Sequence, residues 1–252
     1  MFRGGYVRIG LASIPVVTGD VEHNVLAMVT AMEQNCGACD LLVFGESVLQ
    51  GFECLTWDYE KDCHIAVEQE DLPVRQVRQA AQRLGIAVSF GYVERVNDRL
   101  FSSQIVIDEN GNIVHNFHRV SQGWKAYWHT DHHYCEGERF ETFLYGGIKF
   151  AIALCGDLWT ETRPEEMKRC KPDVVLWPVW CDFPKEEWNQ TVKYEYAQQA
   201  ARSGDCVLYV NPYCADTHVK DAATGGAAWF QRGGIIAEQP AGKPGVLIIS
   251  TE

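Results

Sequence analysis

Apolar positions along this chain fall into short continuous or alternating runs, separated by stretches with helical spacing. Residues 7–14 (VRIGLASI) are a β-rich run, and Val21, Val25, Leu26, Val29 and Met32 then repeat at helical intervals over 20–35, behind Asp20 as N-cap. CDLLVF (39–44) reads as a strand buried on both faces. Leu72, Val74, Val77, Ala80, Ala81 and Leu84 form a second amphipathic helix that Gly85 closes. IAVSFGYVER (86–95) is a strand, and FSSQIVIDENGNIVHNF (101–117) a hairpin turning at Glu109-Asn110-Gly111. After an irregular stretch come a buried strand, IKFAIALC (148–155), and a helix near 164–170. The strand DVVLWPV (173–179), a helix near 187–203 and the strand CVLYVNPY (206–213) continue the alternation. A hairpin-like GAAWFQRGGIIAEQP (226–240) and GVLIIS (245–250) end it.

Two strand–helix–strand rounds with inserted hairpins specify an α/β layered domain with mixed sheets. No repeat, low-complexity segment or linker interrupts the pattern, so residues 1–252 are expected to form one domain. Composition changes this picture little, but charge narrows the partners. A net charge of -12, with scattered lysines and arginines, disfavours a nucleic-acid surface and points to a small molecule. No segment approaches a membrane span, and the first ten residues hold no signal-like apolar run. The ten cysteines are then expected as thiols in a reducing cytoplasm.

Among those cysteines Cys155 stands out because it ends an apolar strand and is followed by Gly156 and Asp157. Glycine after a nucleophile permits a tight bend and presents an N–H where an oxyanion would develop. A core thiol is the commoner fate of cysteine, so the position of Cys155, not its type, makes it a candidate. Glu46 likewise emerges from the carboxyl edge of a central strand, where a general base would act; by itself it reads as a solvated acid. The long irregular segment 117–140 carries Arg119, Lys125 and Asp131 among aromatics and histidines, each readable as an ordinary surface charge. Trp124, Tyr127, Trp128, Tyr134, Trp180 and Trp188 could line a pocket or simply pack. Cys36 and Cys39 have zinc-like spacing, but the pair lacks its second half and His132 and His133 are adjacent, so no metal is expected.

Together these segments resemble the nitrilase, or carbon–nitrogen hydrolase, superfamily nearly end to end. VRIGLASIPVVTGDVEHN is similar to its first strand and the start of its first helix, and LLVFGESVLQGF to the segment carrying a catalytic Glu, here Glu46. IVIDENGNIVHNFHR is similar to the hairpin leading to a catalytic Lys. FAIALCGDLWTETRPEEMKRCKPDVVLWPVW resembles the nucleophile segment, with Cys155 at the cysteine, and GGAAWFQRGGIIAEQ the late hairpin.

The resemblance implies a four-layer αββα sandwich with two mixed β-sheets, a Glu-Lys-Cys triad without metal or organic cofactor, and a homodimer. It also implies hydrolysis of a small amide, nitrile or carbamoyl compound, amidase-type more than nitrilase. In this reading Cys155 attacks, Glu46 moves protons, and a cation with the Gly156 N–H holds the oxyanion. The sequence departs from the family at that cation. Phe117-His118-Arg119 puts Arg119 where the lysine belongs, and Lys125 follows six residues later. Lys125, reaching in from a rearranged loop, is preferred, with Arg119 as the alternative. For the acid that positions the site, Asp131 is preferred over Glu136. A catalytically impaired binding or scaffold member is the rival expectation that Arg119 raises.

Overall fold

A computed structural model describes residues 6–216 and 218–250; the reading of the first five residues lies outside them. The strands in chain order are β1 (Arg8–Ser13), β2 (Pro15–Val16), β3 (Leu41–Phe44), β4 (Ala87–Val96), β5 (Arg99–Ile107), β6 (Ile113–His118) and β7 (Thr142–Tyr145). β8 (Ile148–Ile152), β9 (Val174–Pro178), β10 (Cys206–Val210), β11 (Tyr213–Cys214), β12 (Ala227–Gln231), β13 (Gly234–Gln239) and β14 (Gly245–Ser250) follow. The helices are α1 (Val21–Asn35), α2 (Tyr59–Asp62), α3 (Leu72–Leu84), α4 (Arg163–Cys170), α5 (Lys185–Glu187) and α6 (Lys193–Ala200). A π-helical turn over Trp188–Val192 joins the last two, so the helix expected near 187–203 is one bulged element beginning two residues earlier.

Two six-stranded sheets run β14-β1-β3-β4-β5-β6 and β13-β12-β10-β9-β8-β7. Each has three parallel central strands, β1-β3-β4 and β8-β9-β10, with an antiparallel hairpin on one side and a single antiparallel strand on the other. Strand alternation divides the core. Ile9, Leu11, Leu41 and Val43 share one apolar cluster with Phe150, Ile152, Val174 and Leu176 of the other sheet. Ala12, Leu42 and Phe44 turn the opposite way, onto Val25, Met28 and Met32 of α1 and Val74 and Val77 of α3. Met167 of α4 and Tyr196, Ala197 and Ala200 of α6 cover the outer face of the second sheet. The result is the expected four-layer αββα sandwich.

Local signals account for most boundaries. The Asp20 carboxylate accepts the His23 N–H at 3.0 Å, capping α1. Gly85 ends α3 at φ +62°. In the β5–β6 turn the Asp108 carboxylate accepts the N–H groups of Asn110 and Asn112. Strand β7 and the β2–β11 pair are too short to stand out in the sequence. What matters for function is that β3, β8 and β9 are parallel members of facing sheets, so their carboxyl ends come together at one rim.

Candidate active site

Glu46 stands just past β3 and is fully buried. Its backbone presses on β4 so closely that a Cβ at Gly91 would lie 2.5 Å from the Ser47 nitrogen and 2.7 Å from the Glu46 Cα. Only glycine fits there. The carboxylate is used asymmetrically. Oε1 accepts from the Ser102 hydroxyl at 3.1 Å and from Arg119 Nη1 at 2.8 Å, whereas buried Oε2 has no hydrogen-bond partner among the described residues.

Arg119 follows β6 directly and is only 3% exposed. Its N–H extends the strand pairing to the Ser102 carbonyl, and its own carbonyl accepts from Gly137. The guanidinium divides its work three ways. Nη1 binds Glu46, Nε donates to Ser121 Oγ at 2.9 Å, and Nη2 makes no hydrogen bond to a described residue. Nη2 lies between two glycines, since a Cβ at Gly156 would approach it to 2.7 Å and one at Gly123 to 2.9 Å. A planar fork fits where these two residues lack side chains. Burial would lower its pKa, but Glu46, Cys155 and Asp157 outweigh that, so the cation is firmly held.

Cys155 leaves β8 in a short 3₁₀ turn (Cys155–Trp159) with φ +41°, a left-handed conformation uncommon outside glycine. Its carbonyl accepts from Trp177 Nε1 at 2.9 Å, and its Sγ lies 3.8 Å from the Trp180 carbonyl. The residue as a whole is half-buried. The neighbouring Cys181 thiol, burial and the Glu46 charge raise its pKa well above the ordinary range, against the lowering effect of Arg119. At rest it is therefore a neutral thiol, and a base must take its proton when it attacks.

Asp157 ties the turn to Arg119. Fully buried, its carboxylate accepts the N–H groups of Leu154 (2.9 Å), Val120 (3.1 Å) and Ser121 (2.8 Å). It thereby joins the β8 end to the segment that carries the guanidinium. Burial pushes its pKa up to about 6, although Arg119 and those N–H donors pull the other way. Neither this acid nor Ser102, Ser121, Gly91 and Gly123 was among the residues singled out from the sequence. Asp157 had a signal, two residues after the candidate nucleophile; the serines had none.

The structure moves the preferred cation and acid elsewhere. Lys125 Nζ pairs with Glu136 at 2.8 Å and donates to the Tyr134 carbonyl at 2.5 Å, while the cation on Glu46 is Arg119. The reason is the neighbouring Trp124, which is buried in a separate cluster with Ala66, Val93, Leu100 and Tyr134 and carries Lys125 with it. Asp131 is exposed and pairs with His133, and Glu136 is taken up by Lys125, so neither acid joins Glu46. Asp131, His132 and His133 bring one ligand atom each within 4.8 Å of one another, on the surface. Of the aromatics, Trp188 stacks on Tyr209 in the core, Trp180 stacks on Phe52, and Tyr127 and Trp128 are exposed. All ten cysteines are free.

A buried carboxylate, a buried guanidinium and a strained cysteine thus meet at the rim of two facing sheets. Comparison with known proteins places the arrangement. The family model described as Carbon-nitrogen hydrolase matches residues 8–251. The chain belongs to this family. Among curated carbon–nitrogen hydrolase relatives, it is 22% identical over 170 residues to an (R)-stereoselective amidase of Pseudomonas sp., covering 68% of this chain and 59% of that enzyme. It is 24% identical over 215 residues to a nitrilase of Penicillium rubens, covering 75% of this chain and 63% of that one. It therefore spans less than two thirds of the length of either. An amidase from Nesterenkonia sp. AN1, solved as a double mutant with acrylamide, superposes with a TM-score of 0.80 at 17% identity, covering 100% of this chain and 93% of that one. The glutamine-dependent NAD+ synthetase of Acinetobacter baumannii superposes with a TM-score of 0.75 at 20% identity over 98% of this chain and 46% of that one. The sandwich is that of nitrilase-superfamily amidases, and among the described residues no helix is long and apolar enough to cross a membrane.

Proposed function

We propose that this carbon–nitrogen hydrolase cleaves a small amide through a thioester on Cys155, with Glu46 moving the protons and Arg119 in the place of the family lysine. The observation that carries this reading is the division of contacts between Glu46 and Arg119. Among the described residues, Oε1 of Glu46 is occupied by Ser102 and Arg119 while buried Oε2 is unpartnered, and Arg119 Nη2 is the one guanidinium nitrogen without a hydrogen bond. Oε2 is left to take the Cys155 proton, and Nη2 to donate to an oxyanion.

The reaction then runs in two halves. Glu46 takes the thiol proton as Sγ attacks the amide carbon, and the oxyanion is held by Arg119 Nη2 and the Gly156 N–H. Glu46 gives that proton to the leaving nitrogen, and ammonia or an amine departs. A water that Glu46 deprotonates attacks the thioester, and the protonated Glu46 returns the thiol. Amide is preferred to nitrile because the superposing Nesterenkonia enzyme is an amidase solved with acrylamide, whereas a nitrilase appears among the sequence relatives at partial coverage.

Ammonia release from a panel of short amides and matched nitriles tests this. The wild type should act on amides, and Cys155→Ala should be inactive with unchanged circular dichroism; ammonia release surviving that substitution removes the reading. The rival, a binding protein that has lost catalysis, predicts no turnover and an unreactive thiol. A homodimer remains our expectation, with α4 and the exposed Trp159 and Trp128 as contact candidates. A light-scattering mass equal to one chain would exclude it.

A further inference from the structure

The proposed chemistry uses one thiol, but a second stands against it. Cys181 follows Trp180, whose carbonyl lies 3.8 Å from Cys155 Sγ, so the peptide leading into Cys181 packs against the nucleophile sulfur. Cys181 is buried, with its Sγ 3.2 Å from the Tyr196 hydroxyl. Both cysteines sit on fixed supports. The Cys181 N–H donates to Asn211 Oδ1 at 2.9 Å and its carbonyl accepts from Asn211 Nδ2 at 2.8 Å, while Trp177 Nε1 holds the Cys155 carbonyl at 2.9 Å. Cys155 is half-buried and Cys181 buried.

We propose that Cys155 and Cys181 form a redox modification site, in which a hydroperoxide oxidises Cys155 and Cys181 closes a disulfide onto it. For its effect on turnover this rests on Cys155 being the nucleophile; the disulfide itself does not. Glu46 takes the Cys155 proton, the thiolate attacks a peroxide oxygen, the O–O bond breaks, and water leaves with Cys155 as the sulfenic acid. Cys181 sulfur then attacks the sulfenic sulfur. An S–S bond forms, the S–O bond breaks, and hydroxide departs as water with the Cys181 proton. Two thiols lose two electrons and hydrogen peroxide becomes two waters. The site would be sensitive but not hair-triggered, because the resting thiol is neutral and oxidation follows thiolate character. Its consequence is protection, since a disulfide can be reduced whereas the sulfinic and sulfonic acids of an unpartnered nucleophile cannot be returned by thiols.

Hydrogen peroxide added to the intact protein, followed by alkylation, mass measurement and fragmentation of the cross-linked peptides, tests this. The expected product is two hydrogens lighter, carries a Cys155–Cys181 bond, and regains both thiols with dithiothreitol; any amidase activity is lost and regained in step. Cys181→Ala and Cys181→Ser should instead accumulate sulfinic and sulfonic acid at Cys155 that dithiothreitol leaves in place. Wild-type Cys155 found as sulfinic acid, or bonded to another of the ten cysteines, overturns the proposal. Should the cross-link form in a protein that hydrolyses no amide, the disulfide stands and the amidase reading falls. Amide turnover through Cys155 without any cross-link has the opposite meaning.

Discussion

Replacing Arg119 by glutamine separates two effects that the guanidinium combines. Glu46 is fully buried, Arg119 is 3% exposed, and they meet at 2.8 Å. Removing one partner leaves the other charge buried and uncompensated, which in comparable settings costs about 3–5 kcal/mol. At about 2–4 °C per kcal/mol for a chain of this size, Tm should fall by about 6–20 °C. Catalysis should fall separately, because losing one oxyanion donor typically slows turnover about 100- to 1000-fold. The double variant Glu46→Gln/Arg119→Gln distinguishes the two effects. With Glu46 no longer a lone buried charge it should be more stable than Arg119→Gln alone, yet remain inactive. Arg119→Lys keeps the charge but has one nitrogen for the contacts of three, so its rate should lie between wild type and Arg119→Gln. Thermal unfolding and steady-state amide hydrolysis read both quantities. An Arg119→Gln protein with near wild-type kcat, or one as stable as the wild type, would refute the reasoning.

Other substitutions probe the surroundings. Gly156→Ala puts a Cβ 2.7 Å from Arg119 Nη2, so the guanidinium must shift; kcat should drop about 100-fold with little change in KM, and an unchanged kcat would count against Nη2 as the donor. Lys125→Met should leave kcat unaltered while lowering stability by about 1–3 kcal/mol, because Glu136 and the Tyr134 carbonyl lose their donor; a collapse of kcat in a folded protein would restore Lys125 to the site. Burial alone would raise Glu94, but hydrogen bonds from His118, Ser103 and Asn116 bring it down to about 2. Its folded pKa lies below the unfolded value of about 4.3, so the stability it contributes, about 3 kcal/mol, is present above that value and lost as pH falls towards 2. Denaturant titrations at a series of pH values should show that loss in the wild type and not in Glu94→Gln; parallel curves would contradict it.

The fold was legible because each layer leaves its own period in the chain. Continuous runs such as LLVF mark strands covered on both faces, and the 72–84 repeat marks a helix with one buried stripe. The positions of Cys155 and Glu46 were legible for a related reason, since each stands just beyond such a run, where a central strand reaches the rim. The placement of Lys125 was not legible because loop direction has no period. Lys125 is near Arg119 in sequence, but the burial of Trp124 turns the segment away, a tertiary contact that no local pattern announces. Ser102 and Ser121 were invisible for the same reason, being ordinary residues made special by what they meet across the sheets. Cys181 was one thiol among ten until packing set the peptide before it against Cys155.

The most direct test of the account is the fate of Cys155 during turnover. Acid quenching of the wild type during turnover of a short amide arrests the reaction before water attacks, so part of the protein should carry the acyl group as a thioester. Peptide mass analysis should then show one acyl adduct, located at Cys155. No adduct from any amide that the wild type hydrolyses, or an adduct on another residue while Cys155 stays free, would contradict the claim that this thiol carries the chemistry.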